Sequence, residues 1–183
     1  MIFGQTAPAP SGPSASVTPK PRVGGKATVA GVLGSVGVNT DDESFEREIG
    51  WGDRYAFGYF VTPNFAVDLE VSALRSRSEG VTQRDYYLLL GASLYPSLAN
   101  GFHLSAAVGR GRAVSKDGND EFEVSGMAFL VGAGVDIAVD KDFNVTPFAR
   151  YMGTTGGGFR YLGRKIADAN INQFQVGLSL GWH

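Results

Sequence analysis

Gln173-Phe174-Gln175-Val176-Gly177-Leu178-Ser179-Leu180-Gly181-Trp182 alternates a bulky apolar side chain with a small or polar one at every step. Successive side chains of a strand point to opposite faces, so this period of two predicts a strand with one greasy face and one small face. The contrast recurs at Phe65-Val67-Leu69-Val71 against Ala66-Asp68-Glu70-Ser72, and at Phe129-Val131-Ala133-Val135-Ile137 against Leu130-Gly132-Gly134-Asp136. Tyr55-Phe57-Tyr59-Val61, Leu88-Leu90-Ala92-Leu94, Phe102-Leu104-Ala106-Val108 and Val145-Pro147-Ala149-Tyr151 carry it too. A weaker pattern from Ala27 to Val38, whose phase the sequence does not fix, completes a set of eight strands.

The connections alternate in length. Val61-Thr62-Pro63-Asn64-Phe65, Pro96-Ser97-Leu98-Ala99-Asn100-Gly101 and Asp140-Lys141-Asp142 read as tight turns. Between them lie polar stretches at residues 39–53, 76–83, 115–121 and 152–170, read as long loops at one end of an up-and-down meander. Residues 166–170 are the one place where a turn of helix is expected, and Gly153-Thr154-Thr155-Gly156-Gly157-Gly158-Phe159 reads as a flexible loop.

Eight meandering strands make either a soluble barrel with a greasy interior or a membrane barrel with a greasy exterior. The small face decides. Gly177-Ser179-Gly181, Gly132-Gly134 and Gly109-Gly111 make poor solvent cover but suit the crowded lumen of an eight-stranded barrel. Strands of about 9–11 residues match a tilted crossing of the hydrocarbon layer. Tyr55, Tyr59, Phe65, Tyr95, Phe102, Phe143, Tyr151 and Trp182 are candidates for the two aromatic girdles. The expected fold is an all-β, eight-stranded antiparallel up-and-down transmembrane β-barrel over residues 26–183. Residues 1–25, rich in Pro, Ala and Ser, are expected to form a disordered tail. Met1-Ile2-Phe3-Gly4 has neither the basic start nor the apolar stretch of a secretory signal, so a leader is expected to have been removed.

Composition narrows the function classes. The chain has 183 residues, 26 Gly and no Cys, which removes disulfide frameworks, thiolate metal sites and Cys nucleophiles. A net charge of −2 gives no support for nucleic-acid binding. No apolar stretch approaches the ~18 residues of a spanning helix.

Val61-Thr62-Pro63-Asn64-Phe65-Ala66-Val67-Asp68-Leu69-Glu70, Leu130-Val131-Gly132-Ala133-Gly134-Val135 and Asn144-Val145-Thr146-Pro147-Phe148, in that order, resemble the opacity-type and OmpA-type eight-stranded outer-membrane proteins of Gram-negative bacteria. The resemblance implies an outer-membrane location, insertion by the barrel-assembly machinery, long loops outside, and short turns and N-terminal tail in the periplasm. Chains of this kind finish on an aromatic residue, and this one departs from that pattern at His183.

Five charged residues fall on the inward face: Arg54, Asp68, Glu70, Asp136 and Arg150. Buried charges persist when paired, so an ion-pair network plugging the lumen is expected. His103-Leu104-Ser105 puts an imidazole and a hydroxyl on one strand face, and is similar to the His-x-Ser of the lipid A deacylases. A triad also needs an acidic orienter, which the sequence does not place, and the pair sits at the short-turn end facing the lumen. No catalytic residue is assigned. Asp41, Asp42 and Glu43 lack the spacing of a calcium loop, so no metal or other cofactor is expected. Arg160, Arg164 and Lys165 in the last long loop suit lipopolysaccharide phosphates, and also face the acidic run after Asp41 across the closure.

The leading expectation is a non-enzymatic barrel that presents surface loops for adhesion, envelope integrity or host contact. Its partners would be outer-membrane lipid, lipopolysaccharide and an extracellular molecule the sequence does not identify. A second reading is transport of a small apolar molecule with lateral exit. Tyr87, Leu89, Phe60 and Phe148 would line that path, and Pro147 marks a missing ladder donor. A lipid A hydrolase and a soluble ligand-carrying barrel complete the alternatives.

Overall fold

The computed structural model describes residues 22–40, 46–78, 81–97, 99–117, 120–161 and 164–182. They form strands β1 (Gly24–Thr40), β2 (Glu48–Thr62), β3 (Phe65–Ser78), β4 (Val81–Leu94), β5 (Phe102–Asp117), β6 (Asp120–Val135), β7 (Ile137–Ala138), β8 (Phe143–Tyr161) and β9 (Arg164–Trp182). Each long strand pairs antiparallel with its chain neighbour. β1 also pairs with β9, from Ala27 against Trp182 to Thr40 against Ala169, and this closes an eight-stranded barrel. The two-residue β7 follows Asp136 and prolongs the edge of β6 against β8. Closure gives every long strand a neighbour on both sides, which removes the exposed edge of an open sheet.

The pattern of exposure is that of a water-soluble protein turned inside out. Phe57, Leu69, Leu90, Val108, Val131 and Leu178 are each more than half exposed, while Asp68, Glu70, Ser72, Asp85, Arg150, Gln173 and Gln175 are buried. In water that arrangement is uphill for both sets. In hydrocarbon it is downhill, because the apolar wall meets lipid and the barrel pairs every strand's backbone. The phase of β1 is fixed by its burial: Ala30, Val32 and Val36 face in, Val29 and Leu33 face out. Of the expected girdle aromatics, Tyr55, Tyr59, Phe65, Phe143, Tyr151 and Trp182 are exposed on the wall. Tyr95 is instead buried at the short-turn mouth, against Phe60 and His103.

The long loops of the sequence reading are mostly strand. β8 and β9 have 19 residues each and the ladder runs on to Tyr161 opposite Arg164. β3 and β4 likewise pair out to Ser78 and Val81. A crossing needs only about 9–11 residues, so the surplus stands clear of the membrane. There the outward side chains become polar while the backbone pairing continues, and a polar strand reads like a loop. Residues 166–170 are accordingly strand, not helix, and residues 153–159 lie within β8. The acidic run from Asp41 to Glu43 lies outside the described residues.

The wall has one prominent irregularity. The β8–β9 register shifts between Gly153 and Gly158, where Gly156 has a left-handed φ of 62°, and β6–β8 shifts nearby at Ser125/Met127. Pro147 sits opposite Leu178 in a regular stretch, so the weak seam lies at the glycines rather than at the proline. At the other end Gly101, at φ 67°, accepts a bond from the Asp136 amide at 3.0 Å. A side chain there would collide with the Asp136 carbonyl, which explains the glycine.

Candidate functional site

Inward-facing polar residues of β2, β3, β4, β8 and β9 meet in mid-lumen because alternation turns every second side chain of each strand inward. Arg54 Nε donates to Glu70 Oε2 at 2.6 Å, and Arg150 Nη1 to Glu70 Oε1 at 2.5 Å. Arg150 spends its other donors on Ser72 Oγ at 3.0 Å and Gln175 Oε1 at 2.8 Å. From there amides carry the chain onward: Gln175 donates to Gln173 at 2.7 Å, and Gln173 to Asp85 at 2.8 Å. Gln83 donates to the other Asp85 oxygen at 2.9 Å. The result is a continuous polar chain from Arg54 to Gln83 in which Asp85, Gln173 and Gln175 are fully buried. Two cations share Glu70, and neutral amides separate that cluster from Asp85. Such satisfaction is what burial of charge requires.

Phe148 completes the packing. Its ring lies over Gly177, directly across the β8–β9 ladder, and a Cβ at Gly177 would strike the ring at 2.5 Å. The ring face meets the guanidinium groups of Arg54 and Arg150, at 5.5 and 5.4 Å from its centroid. Tyr87 and Leu89 pack into a buried cluster with Ala128, Leu130 and Met152. Phe60 and Phe148 border a cavity of only about 60 Å³ in the short-turn half.

All five charged residues expected in the lumen face it, but they fall into three separate sets. Arg54, Glu70 and Arg150 are joined directly; Asp68 and Asp136 are not part of that cluster. Asp68 pairs with Lys26 at 2.7 Å, and Asp136 with Arg22 at 3.3 Å. The sequence reading missed both cations. Arg22 lies two residues before β1, is buried, and its guanidinium sits 4.2 Å from the Tyr95 ring centroid, so it caps the short-turn mouth. Lys26 was hidden by the unfixed phase of β1. Gln83, Asp85, Gln173 and Gln175 were also missed, although the pattern that named Glu70 marks them as inward. Burial pushes the Tyr95 hydroxyl well above the usual phenol range, so this ring stays neutral beside Asp136.

His103 and Ser105 both face the lumen, and an acidic group does stand near them. Asp136 Oδ1 is 3.4 Å from His103 Nδ1, and also accepts from Thr146 Oγ1 at 2.9 Å. Among the described residues no hydrogen bond links the Ser105 hydroxyl to the imidazole. The His103 ring is instead laid against Gly134, whose added Cβ would come within 2.8 Å of it. Arg160, Arg164 and Lys165 stand exposed at the far end of the β8–β9 hairpin. Arg160 faces Lys165 across the ladder and Lys165 pairs with Asp168 at 2.5 Å. Among the described residues no cluster of acidic or imidazole groups could hold a metal ion.

The hairpin half of the lumen has a different character. Val32, Val36, Leu74, Ala113, Val124, Ala169 and Ile171 form a buried apolar cluster above the polar chain. Over it opens a cavity of about 410 Å³, walled by Val36, Val38, Val81, Phe122 and Phe159 and rimmed by Glu46, Glu48, Ser78, Gln83 and Ser115.

The fold recurs in solved outer-membrane barrels. Neisserial surface protein A aligns with a TM-score of 0.64 at 14% identity, covering 85% of this chain and 96% of that one. Ail, the attachment invasion locus protein of Yersinia pestis, aligns at 0.53 and 14%, covering 87% and 99%. OprG of Pseudomonas aeruginosa aligns at 0.50 and 12%, covering 88% and 97%. At these identities the likeness is one of fold. No curated protein matches the sequence. The profile of the outer membrane protein beta-barrel domain matches residues 1–183, and the chain belongs to that family of bacterial outer-membrane proteins.

Proposed function

We propose that this protein is a non-enzymatic outer-membrane barrel with a closed lumen, which displays its long hairpins outside the cell for adhesion, envelope integrity or host contact. In this reading the hairpin ends at residues 40–48, 78–81, 117–120 and 161–164 are extracellular, and Arg22 and the tight turns are periplasmic. The barrel-assembly machinery inserts it, and its surroundings are outer-membrane lipid and lipopolysaccharide. The observation that supports it is the mid-lumen chain. Buried side chains of β3, β4, β8 and β9 meet there, while the β8–β9 hairpin extends well past what a crossing needs. The hydroxyl and imidazole of Ser105 and His103 lie inside this closed space, unlinked and away from lipid, and carry no reaction in the proposal. Planar-bilayer recording tests it. The purified barrel should give no stable conductance steps, and regular porin-like steps would overturn the closed lumen.

A second reading is favoured by the 410 Å³ apolar cavity and the interrupted β8–β9 ladder beside it. A small apolar molecule would collect above the polar chain and leave sideways at the glycines. Quenching of an environment-sensitive apolar dye by the barrel in micelles tests this, with Val38→Trp filling the cavity. Saturable binding lost in that variant would support uptake; equal partition into empty micelles would remove it.

A further inference from the structure

Two arginines of the outer wall face each other across a ladder without a carboxylate partner among the described residues. Arg75 on β3 lies directly opposite Arg84 on β4 in the ladder, and both point outward. Like charges facing each other across a ladder are destabilising. On the β5–β6 hairpin the basic side chains do find carboxylates: Arg112 reaches Glu123, diagonal to it in the ladder, at 2.9 Å, and Lys116 reaches Glu121, directly opposite, at 3.0 Å. Arg75 and Arg84 have no carboxylate partner among the described residues. Arg75 has only the Trp51 ring, 5.8 Å from its guanidinium carbon.

The pair borders a shaped recess. Trp51, Asp53, Leu74, Arg75, Arg84 and Tyr86 surround a surface niche of about 120 Å³, left open by the short side chain of Ala73. Along the same strands, toward mid-membrane, follow Val71 and Leu69 on β3 and Leu88 and Leu90 on β4, all exposed on the wall. Two aromatic residues, two arginines and an apolar track therefore succeed one another where hydrocarbon gives way to headgroups.

We propose that this niche binds the phosphorylated sugar headgroup of an outer-leaflet glycolipid, with Arg75 and Arg84 on the phosphate and the acyl chains on the β3–β4 track. Guanidinium forks match phosphate oxygens two at a time, and one such anion relieves the repulsion between the facing arginines. Asp53 would repel a bare phosphate but accepts hydrogen bonds from sugar hydroxyls, which favours a phosphosugar over a simple phospholipid. This site is distinct from Arg160, Arg164 and Lys165, which stand at the tip of another hairpin. The leaflet assignment rests on the orientation given under Proposed function.

The experiment titrates the folded barrel in neutral detergent with bis-phosphorylated lipid A, dephosphorylated lipid A and phosphatidylglycerol, and counts bound lipid by native mass spectrometry. The phosphorylated glycolipid should bind at least tenfold tighter than the other two. Arg75→Gln/Arg84→Gln should remove that preference, while Arg160→Gln/Arg164→Gln should keep it; boiled and unboiled gel migration verifies that each variant is folded. Equal binding of phosphatidylglycerol, or a preference that survives loss of the pair, would overturn the proposal. Separately, Glu121→Cys on intact cells should react with an impermeant maleimide. Absence of labelling there would overturn the orientation and the leaflet assignment, whatever the micelle titration gives.

Discussion

The two halves of the lumen are built from the same strands and obey different rules. Toward the short turns the interior is ionic: Arg22, Lys26, Arg54, Asp68, Glu70, Asp136 and Arg150 leave a cavity of about 60 Å³. Toward the hairpin ends it is aliphatic and leaves about 410 Å³. Charged side chains reach across the barrel, because an arginine spans the lumen and finds a carboxylate on the facing strand. Valines do not. A lumen lined by Val36, Val38 and Val81 is therefore closed at its floor but open at its top. Ion pairs fill the short-turn half, and the larger cavity lies where they are absent.

The sharpest way to break the contrast is to remove its shared anion. Glu70→Ala leaves Arg54 and Arg150 buried without their carboxylate, which should cost about 3–5 kcal/mol. A urea titration of the folded barrel, followed by gel migration without boiling, measures the loss. A shift worth less than about 1 kcal/mol would mean that water replaces the carboxylate at little cost, and that the ionic half is not the seal. Gly134→Ala is the milder probe of the same half. Its new Cβ would come 2.8 Å from the His103 ring, which must shift to admit it, so a loss of about 1–3 kcal/mol is expected. Val38→Trp probes the other half. The indole enters open space, so the same titration should move by less than about 1 kcal/mol, although the substitution is by far the largest in volume. A destabilisation as large as that of Gly134→Ala would show the two halves to be equally packed.

The fold was legible because alternation is a local signal: the Phe174 to Trp182 stretch names its own two faces without reference to the rest of the chain. Inward Glu70 and Arg150 were legible for the same reason. Three things were not. The polar outer portions of β3, β4, β8 and β9 read as loops, because pairing outside the membrane needs no greasy face. Lys26 stayed hidden since Gly31, Gly34 and Gly37 dilute the pattern of β1. Arg22 could not be found at all, as its partner Asp136 is remote in sequence and meets it only on closure. The Arg75–Arg84 pairing was equally invisible, since it depends on a register that no single strand reveals.

On the proposed function, the polar chain through Glu70, Arg150, Gln173 and Asp85 divides the lumen. The protein contains no cysteine, so single thiols report cleanly. Val38→Cys stands above the division and Ser93→Cys below it, each within its half's cavity wall. In sealed vesicles of fixed orientation, a charged, membrane-impermeant thiol reagent added at the hairpin side should modify the Val38→Cys variant and leave the Ser93→Cys variant unmodified. Added at the short-turn side, it should not reach the thiol of Val38→Cys. Modification of both variants from one side at similar rates would show a continuous aqueous path and contradict the account.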